Sequence, residues 1–225
     1  MIRKISCLVE ARNLSETPNP NRMIIEIDAF TFRKMIQESV SHLRDHHVYL
    51  NRINVFPVPD GDTGSNMLHT MIGVRNSLEA ISDNSFKAIG QEMIKAILLS
   101  ARGNSGAILS EYFAGFMAEV GNTHVVTSSK LVRALARGYD NAYRSLENPQ
   151  SGTILDVFFA AAEGAELAFR DTKDLGQILD GALNYALIAL KETQNIQPQM
   201  KKACVEDAGG AGFLCVLEGF RSGLM

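Results

Sequence analysis

The sequence predicts an all-α fold. Apolar residues recur at helical spacing along most of its 225 residues, and breaks containing Gly or Pro divide them into runs. The only stretch with any strand character is VVTSSKLV, 125–132, and it is weak. A parallel sheet is therefore not expected.

Residues 1–23 show no period and end in SETPNPNRM, which predicts a flexible tail ahead of one domain over 24–225. From Asp28, a candidate cap, Phe32, Ile36, Val40 and Leu43 share a stripe. That helix must stop before Pro57, since proline disfavours helix at the preceding residue and has no N–H. Met67, Leu68, Met71, Ile72 and Leu78 resume the period. Asn84 or Ser85 caps the next helix, with Ile89, Met93, Ile94 and Ile97. SARGNSG breaks the pattern and Ala107 to Val120 restores it. Further runs span 127–146, 152–171 and 175–193. QNIQPQMKKACVEDAGG reads as a loop and Phe213 to Phe220 as a final short helix, about eight helices in all.

Composition excludes several function classes. The formal charge of −3 gives no general pull toward nucleic acid or anionic lipid. No apolar run approaches the roughly 20 residues needed to span a bilayer, and Ile5–Val9 is too short for a signal-peptide core. Cys7, Cys204 and Cys215 form no metal or redox spacing, and an odd, sparse set fits a reducing cytoplasm. His42, His46 and His47 suit a helix C-terminus better than a zinc pair, because adjacent side chains point apart.

The chemistry lies in the breaks. NVFPVPDGDTGSNM, 54–67, sets Asp60 and Asp62 around Gly61 on a loop stiffened by Pro57 and Pro59. Two carboxylates so close repel unless a cation lies between them or one is protonated. Oxygen ligands favour Mg²⁺ or Ca²⁺. An EF-hand fails, since its sixth position is Ser65 and its twelfth Met71. The residues alone leave open both a cation site and a solvated surface turn. No Gly-Lys pair occurs, which excludes a Walker A loop, and no strand-led GxGxxG is present. GNSGA, 103–107, lacks the strand and partners of a nucleophile elbow. It fits either a helix start open to an anion or an ordinary helical corner.

Taken in order, NVFPVPDGDTGSNM, SARGNSGAIL, GTILDV and EDAGGAGF resemble the DhaL-type kinase domain. They are most similar to the N-terminal ATP-binding domain of the bacterial fatty acid kinase A subunit, over roughly residues 24–223. The resemblance implies an antiparallel barrel of eight α-helices, with ATP or ADP at one rim on two Mg²⁺ ions. It implies Asp60 and Asp62 as metal ligands, and Asn54, offset by one inserted residue from a third aspartate of the dihydroxyacetone kinases, as another. It places phosphate contacts at Thr63, Gly64, Ser65, Asn66, Asn104, Ser105 and Gly106, and further nucleotide contacts at Thr153, Asp207 and Gly209.

Thr63 stands where the dihydroxyacetone kinases carry His, which disfavours a sugar-like acceptor. Asp156 stands where many fatty acid kinases have a hydroxyl residue. The implied activity is phosphorylation of a fatty acid carboxylate presented by a separate fatty-acid-binding protein. The alternatives are a nucleotide-binding module without turnover alone, and dihydroxyacetone kinase-type transfer. No nucleic acid and no membrane insertion are expected, and a homodimer stays open. Family members continue past this domain, so a chain ending at Met225 reads as a standalone relative or an excised domain.

Overall fold

Helix ends, more than helix interiors, explain the architecture. The computed structural model describes residues 23–225 except Asn84. Asp28 accepts the Thr31 N–H at 2.7 Å and starts α1, Ala29–Ile53. Next come α2, Thr63–Ala80; α3, Phe86–Ser100, capped by Ser85; and α4, Gly103–Val120. α5, Ser128–Ser145, α6, Ile154–Asp171, and α7, Leu175–Ile196, follow. A short α8, Pro198–Ala203, leads to α9, Ala208–Gly223. Two-residue strands β1, Glu26–Ile27, and β2, Val126–Thr127, pair antiparallel. The tail expected over 1–23 lies outside the described residues except for Met23, as do Cys7 and the candidate cap Asn84.

Each of α1 to α7 packs on the next, and α9 returns to pack on α1 and α7, which closes a ring of eight long helices. The expected all-α barrel is what the chain forms. α9 is apolar on nearly every side, so it belongs inside rather than on a wet surface. Its glycines set how closely it approaches α1. A Cβ on Gly219 would lie 2.2 Å from the Ser39 Cα, and one on Gly223 2.5 Å from the Met35 Cα. Phe32, Phe116 and Phe220 meet with centroids 6.0–6.1 Å apart, and Tyr112, Phe158 and Phe213 form a second cluster at 4.3–4.8 Å.

The Tyr112 hydroxyl is buried without a partner among the described residues. A buried unpaired hydroxyl costs on the order of 1–3 kcal/mol. Tyr112→Phe is therefore expected to leave stability equal or raise it by about 1 kcal/mol, read from the urea midpoint.

Alternating helix direction sorts the connections to two ends. At one end β1 pairs with β2, Leu175 N–H donates to Ile24 O at 2.7 Å, and Arg33 donates to the Leu78, Ile81 and Asp83 carbonyls. At the other end the loops 54–62, 101–102, 146–153 and 197–207 gather as a rim. Three elements begin earlier than their periodicity predicts. α2 starts at Thr63, α4 at Gly103 and α9 at Ala208, so the glycine-rich breaks are first turns of helices as much as loops. α8 lies inside the stretch expected to be loop, begun by Pro198 at its first position and closed by Cys204 at φ 53°.

Candidate functional site

Two asparagines one turn apart at the end of α1 carry the acidic loop. Asn54 is 5% exposed. Its Nδ2 donates to Phe56 O at 3.4 Å and Val58 O at 3.2 Å. Its Oδ1 accepts the Asp62 N–H at 3.2 Å and the Thr63 N–H at 3.4 Å. Asn51 Nδ2 donates to Ser65 Oγ at 2.8 Å and its Oδ1 accepts the Ser65 N–H at 3.0 Å. Between these anchors Gly61 adopts φ 68°, a left-handed conformation that glycine reaches without a Cβ penalty. Asp60 is exposed and Asp62 half-buried, and neither carboxylate has a hydrogen-bond or ion-pair partner among the described residues.

The donors at the four rim helix starts are not equally available. In the first turn of α2, Thr63 and Ser65 are taken by the asparagines, which leaves the Gly64 N–H. At α6, Thr153 Oγ1 accepts the Leu155 N–H at 3.4 Å, and Asp156 accepts the Gly152 N–H. At α9, Asp207 Oδ2 accepts the Gly210 N–H at 2.7 Å. At α4 no side chain caps the helix, Gly106 N–H donates to Arg102 O at 3.1 Å, and the N–H groups of Gly103, Asn104 and Ser105 have no partner among the described residues. Unpartnered N–H groups at a helix start, with the dipole behind them, favour an anion. Gly103 sits at φ 59° so close to α2 that a Cβ there would lie 2.4 Å from Asn66 Nδ2, and Ser105 Oγ donates to Thr63 O at 3.5 Å.

These starts surround a cleft of about 430 Å³. Thr63, Asn104, Ser105, Thr153, Asp207 and Gly209 form its polar wall, and Phe56, Pro57, Ile108, Leu146, Ile154 and Leu155 its apolar wall. Among the described residues that line it there is no Lys or Arg. Asp60 and Asp62 precede Thr63 on the adjoining loop, while Gly64 and Gly106 are buried in the helix starts. Ser65 and Asn66 are held against Asn51 and Gly103 respectively.

The Asn54 oxygen expected as a metal ligand accepts two backbone N–H groups and so braces the loop from beneath. Among the described residues no group of three His, Cys, Asp or Glu side chains is arranged to hold a metal. The donor set at Asp60 and Asp62 nonetheless suits Mg²⁺, which takes one or two carboxylates and completes its shell with water and phosphate oxygens. Sequence reasoning missed Asn51 as well as Phe56 and Pro57 in the cleft wall. Asn51 was legible, since positions 51 and 54 share a helix face.

Asp207 is buried, and desolvation raises its carboxyl to about 6 against the opposing backbone N–H groups of Gly210, Ile154 and Gly209. Its ordinary value is near 4, so between about pH 4 and 6 the folded protein keeps a proton that the unfolded chain has lost. Stability therefore falls as pH rises through that window, by up to about 3 kcal/mol, and is flat above it. Asp207→Asn keeps an acceptor for Gly210 and removes this slope. Relative to the parent chain, it is expected to gain stability at pH 7.5 but not at pH 4, by chemical denaturation.

Comparison with known proteins agrees with this fold. Residues 57–222 match the DAK2 domain. Protein YloV of Bacillus subtilis is 35% identical over 198 residues, covering 88% of this chain and 36% of YloV. An uncharacterised protein of Staphylococcus haemolyticus is 36% identical over 202 residues, 90% of this chain and 37% of that protein. The chain thus spans little more than a third of the relatives it matches. Its fold superposes on the native dihydroxyacetone kinase of C. freundii with TM-score 0.68 at 16% identity, over 92% of this chain and 37% of that one. The same kinase in complex with AMP-PNP and Mg²⁺ gives TM-score 0.63 at 16% identity, over 92% of this chain and 36% of that one. No helix among the described residues is long and apolar enough to cross a membrane. With the match to the family model over most of its length, the chain belongs to the DAK2, or DhaL-type, kinase domain family.

Proposed function

We propose that this chain is the nucleotide-holding domain of a fatty acid kinase-type phosphotransferase. Mg²⁺ ions at Asp60 and Asp62 would carry ATP, whose phosphates would meet the open N–H groups of Gly103, Asn104 and Ser105. Thr63, Thr153 and Gly209 would contact the nucleotide along the cleft, and its base would lie on the apolar wall. The observation that carries this reading is the pair of unpartnered carboxylates on the loop leading into Thr63, whose carbonyl meets the open α4 start at Ser105, beside a cleft with no Lys or Arg among its described lining residues. A triphosphate brings several negative charges, and bound cations together with N–H dipoles would offset them at a wall whose described residues include no Lys or Arg.

When bound, the metal supplies charge neutralisation on the phosphate oxygens. The chain's own groups hold and orient the phosphates and keep water off the apolar wall. The acceptor is a fatty acid carboxylate, ionised at neutral pH and in no need of a general base. One of its oxygens bonds the γ-phosphorus as the bond to the ADP oxygen breaks, giving acyl phosphate and ADP. Thr63, in place of the histidine of the dihydroxyacetone kinases, favours this acceptor. A separate fatty-acid-binding protein would deliver the acyl chain.

The test mixes the chain with Mg-ATP and a fatty-acid-loaded binding protein. ADP release that needs the fatty acid supports the reading. Tight nucleotide binding with no release, with or without the acyl donor, identifies a binding module. Release with dihydroxyacetone but not fatty acid returns the assignment to the sugar kinases.

A further inference from the structure

Asn51 is not among the residues that line the cleft, yet both ends of its side-chain amide are engaged just past the acidic loop. Donor and acceptor both engage one residue, Ser65, through its Oγ at 2.8 Å and its N–H at 3.0 Å. The Asn51 main-chain carbonyl lies 3.7 Å from where a Cβ of Gly61 would stand. Asn51 therefore borders the loop on both sides of Asp62, at positions 61 and 65. Ser65 is the third residue of α2, and Asp62 is the cap of that helix with no side-chain capping bond of its own. The backbone carrying Asp62 is thus fixed from outside, by Asn51 and Asn54, rather than by the carboxylate.

We propose that Asn51 is a positioning residue for the cation site, a role that rests on the reading of Asp60 and Asp62 as cation ligands. Mg²⁺ demands near-ideal octahedral geometry, so the separation of two carboxylates on a glycine-hinged loop governs affinity more than their presence alone. Groups that orient metal ligands typically change metal affinity 10–100-fold when removed. The bond to Asn51 Oδ1 also occupies the Ser65 N–H, so the α4 start offers more open N–H groups than the α2 start.

The experiment titrates Mg²⁺ at fixed AMP-PNP on the full chain, following nucleotide binding by calorimetry, with thermal midpoints in metal-free buffer alongside. Asn51→Ala is expected to raise the Mg²⁺ half-saturation about 10-fold and to shift the metal-free midpoint only slightly. Ser65→Ala, which keeps the N–H bond, is expected to raise it less. The double variant is expected to match Asn51→Ala alone, since both remove one contact. An unchanged half-saturation in Asn51→Ala beside a Mg²⁺-dependent parent overturns this role and leaves the cation reading intact. Additive effects in the double variant overturn it too. A parent chain that binds AMP-PNP without regard to Mg²⁺ overturns both.

Discussion

Replacing Asp60 and Asp62 together by Asn lowers Mg-ATP affinity at least ~100-fold, equivalent to roughly 3 kcal/mol. The loss falls on binding and not on the fold. Among the described residues neither carboxylate makes a capping bond or pairs with a basic side chain, and the loop is held by Asn51 and Asn54 instead. Two like charges one residue apart repel in the metal-free protein, so their removal leaves the thermal midpoint unchanged or slightly higher. Surface changes of this kind stay within about 0.5 kcal/mol. Calorimetry with and without Mg²⁺, next to a thermal melt, separates the two quantities. Equal Mg-ATP affinity in parent and variant would remove the cation site from these residues.

Gly219→Ala is expected to cost far more stability than the Asp60 and Asp62 replacements. The added methyl would stand 2.2 Å from both Cα and N of Ser39, which is backbone in the middle of α1 and has no rotamer to yield. Ser39 Oγ also donates to Val216 O on α9 at 2.9 Å, so the two helices cannot separate without breaking a buried bond. Overpacking of this severity costs about 3 kcal/mol or more. Gly90→Ala makes the control: its methyl would meet the flexible Met117 Cε at 3.2 Å, within a helix that alanine favours by about 1 kcal/mol. Urea midpoints of the two variants should differ sharply, with Gly219→Ala falling and Gly90→Ala unchanged or higher. Similar midpoints would mean that α9 does not lie against α1 as described.

The periodic interior of most helices was legible because amphipathic spacing reports which face is buried. Phe32, Ile36, Val40 and Leu43 line the core side of α1 as that spacing predicts. The starts of α2, α4 and α9 were not, and for one reason. Asp62-Thr63-Gly64, Arg102-Gly103 and Asp207-Ala208-Gly209-Gly210 combine a cap with residues of low helix propensity, so local preference reads as loop while tertiary packing holds a first turn. Gly64 shows the packing involved, since a Cβ there would lie 2.3 Å from His47 O. The rim could be anticipated from where those motifs fall, between helices that alternate in direction. Which helix start remains open to an anion could not, because that depends on contacts 14 or more residues apart in sequence, such as Asn51 with Ser65 and Asp207 with Thr193.

The most direct measurement is a crystal structure of the chain grown with AMP-PNP and Mg²⁺. The cations should lie about 2.0–2.1 Å from carboxylate oxygens of Asp60 and Asp62, with phosphate oxygens within hydrogen-bond reach of the Gly103, Asn104 and Ser105 N–H groups. Nucleotide density elsewhere, with both aspartates facing only water, would contradict it.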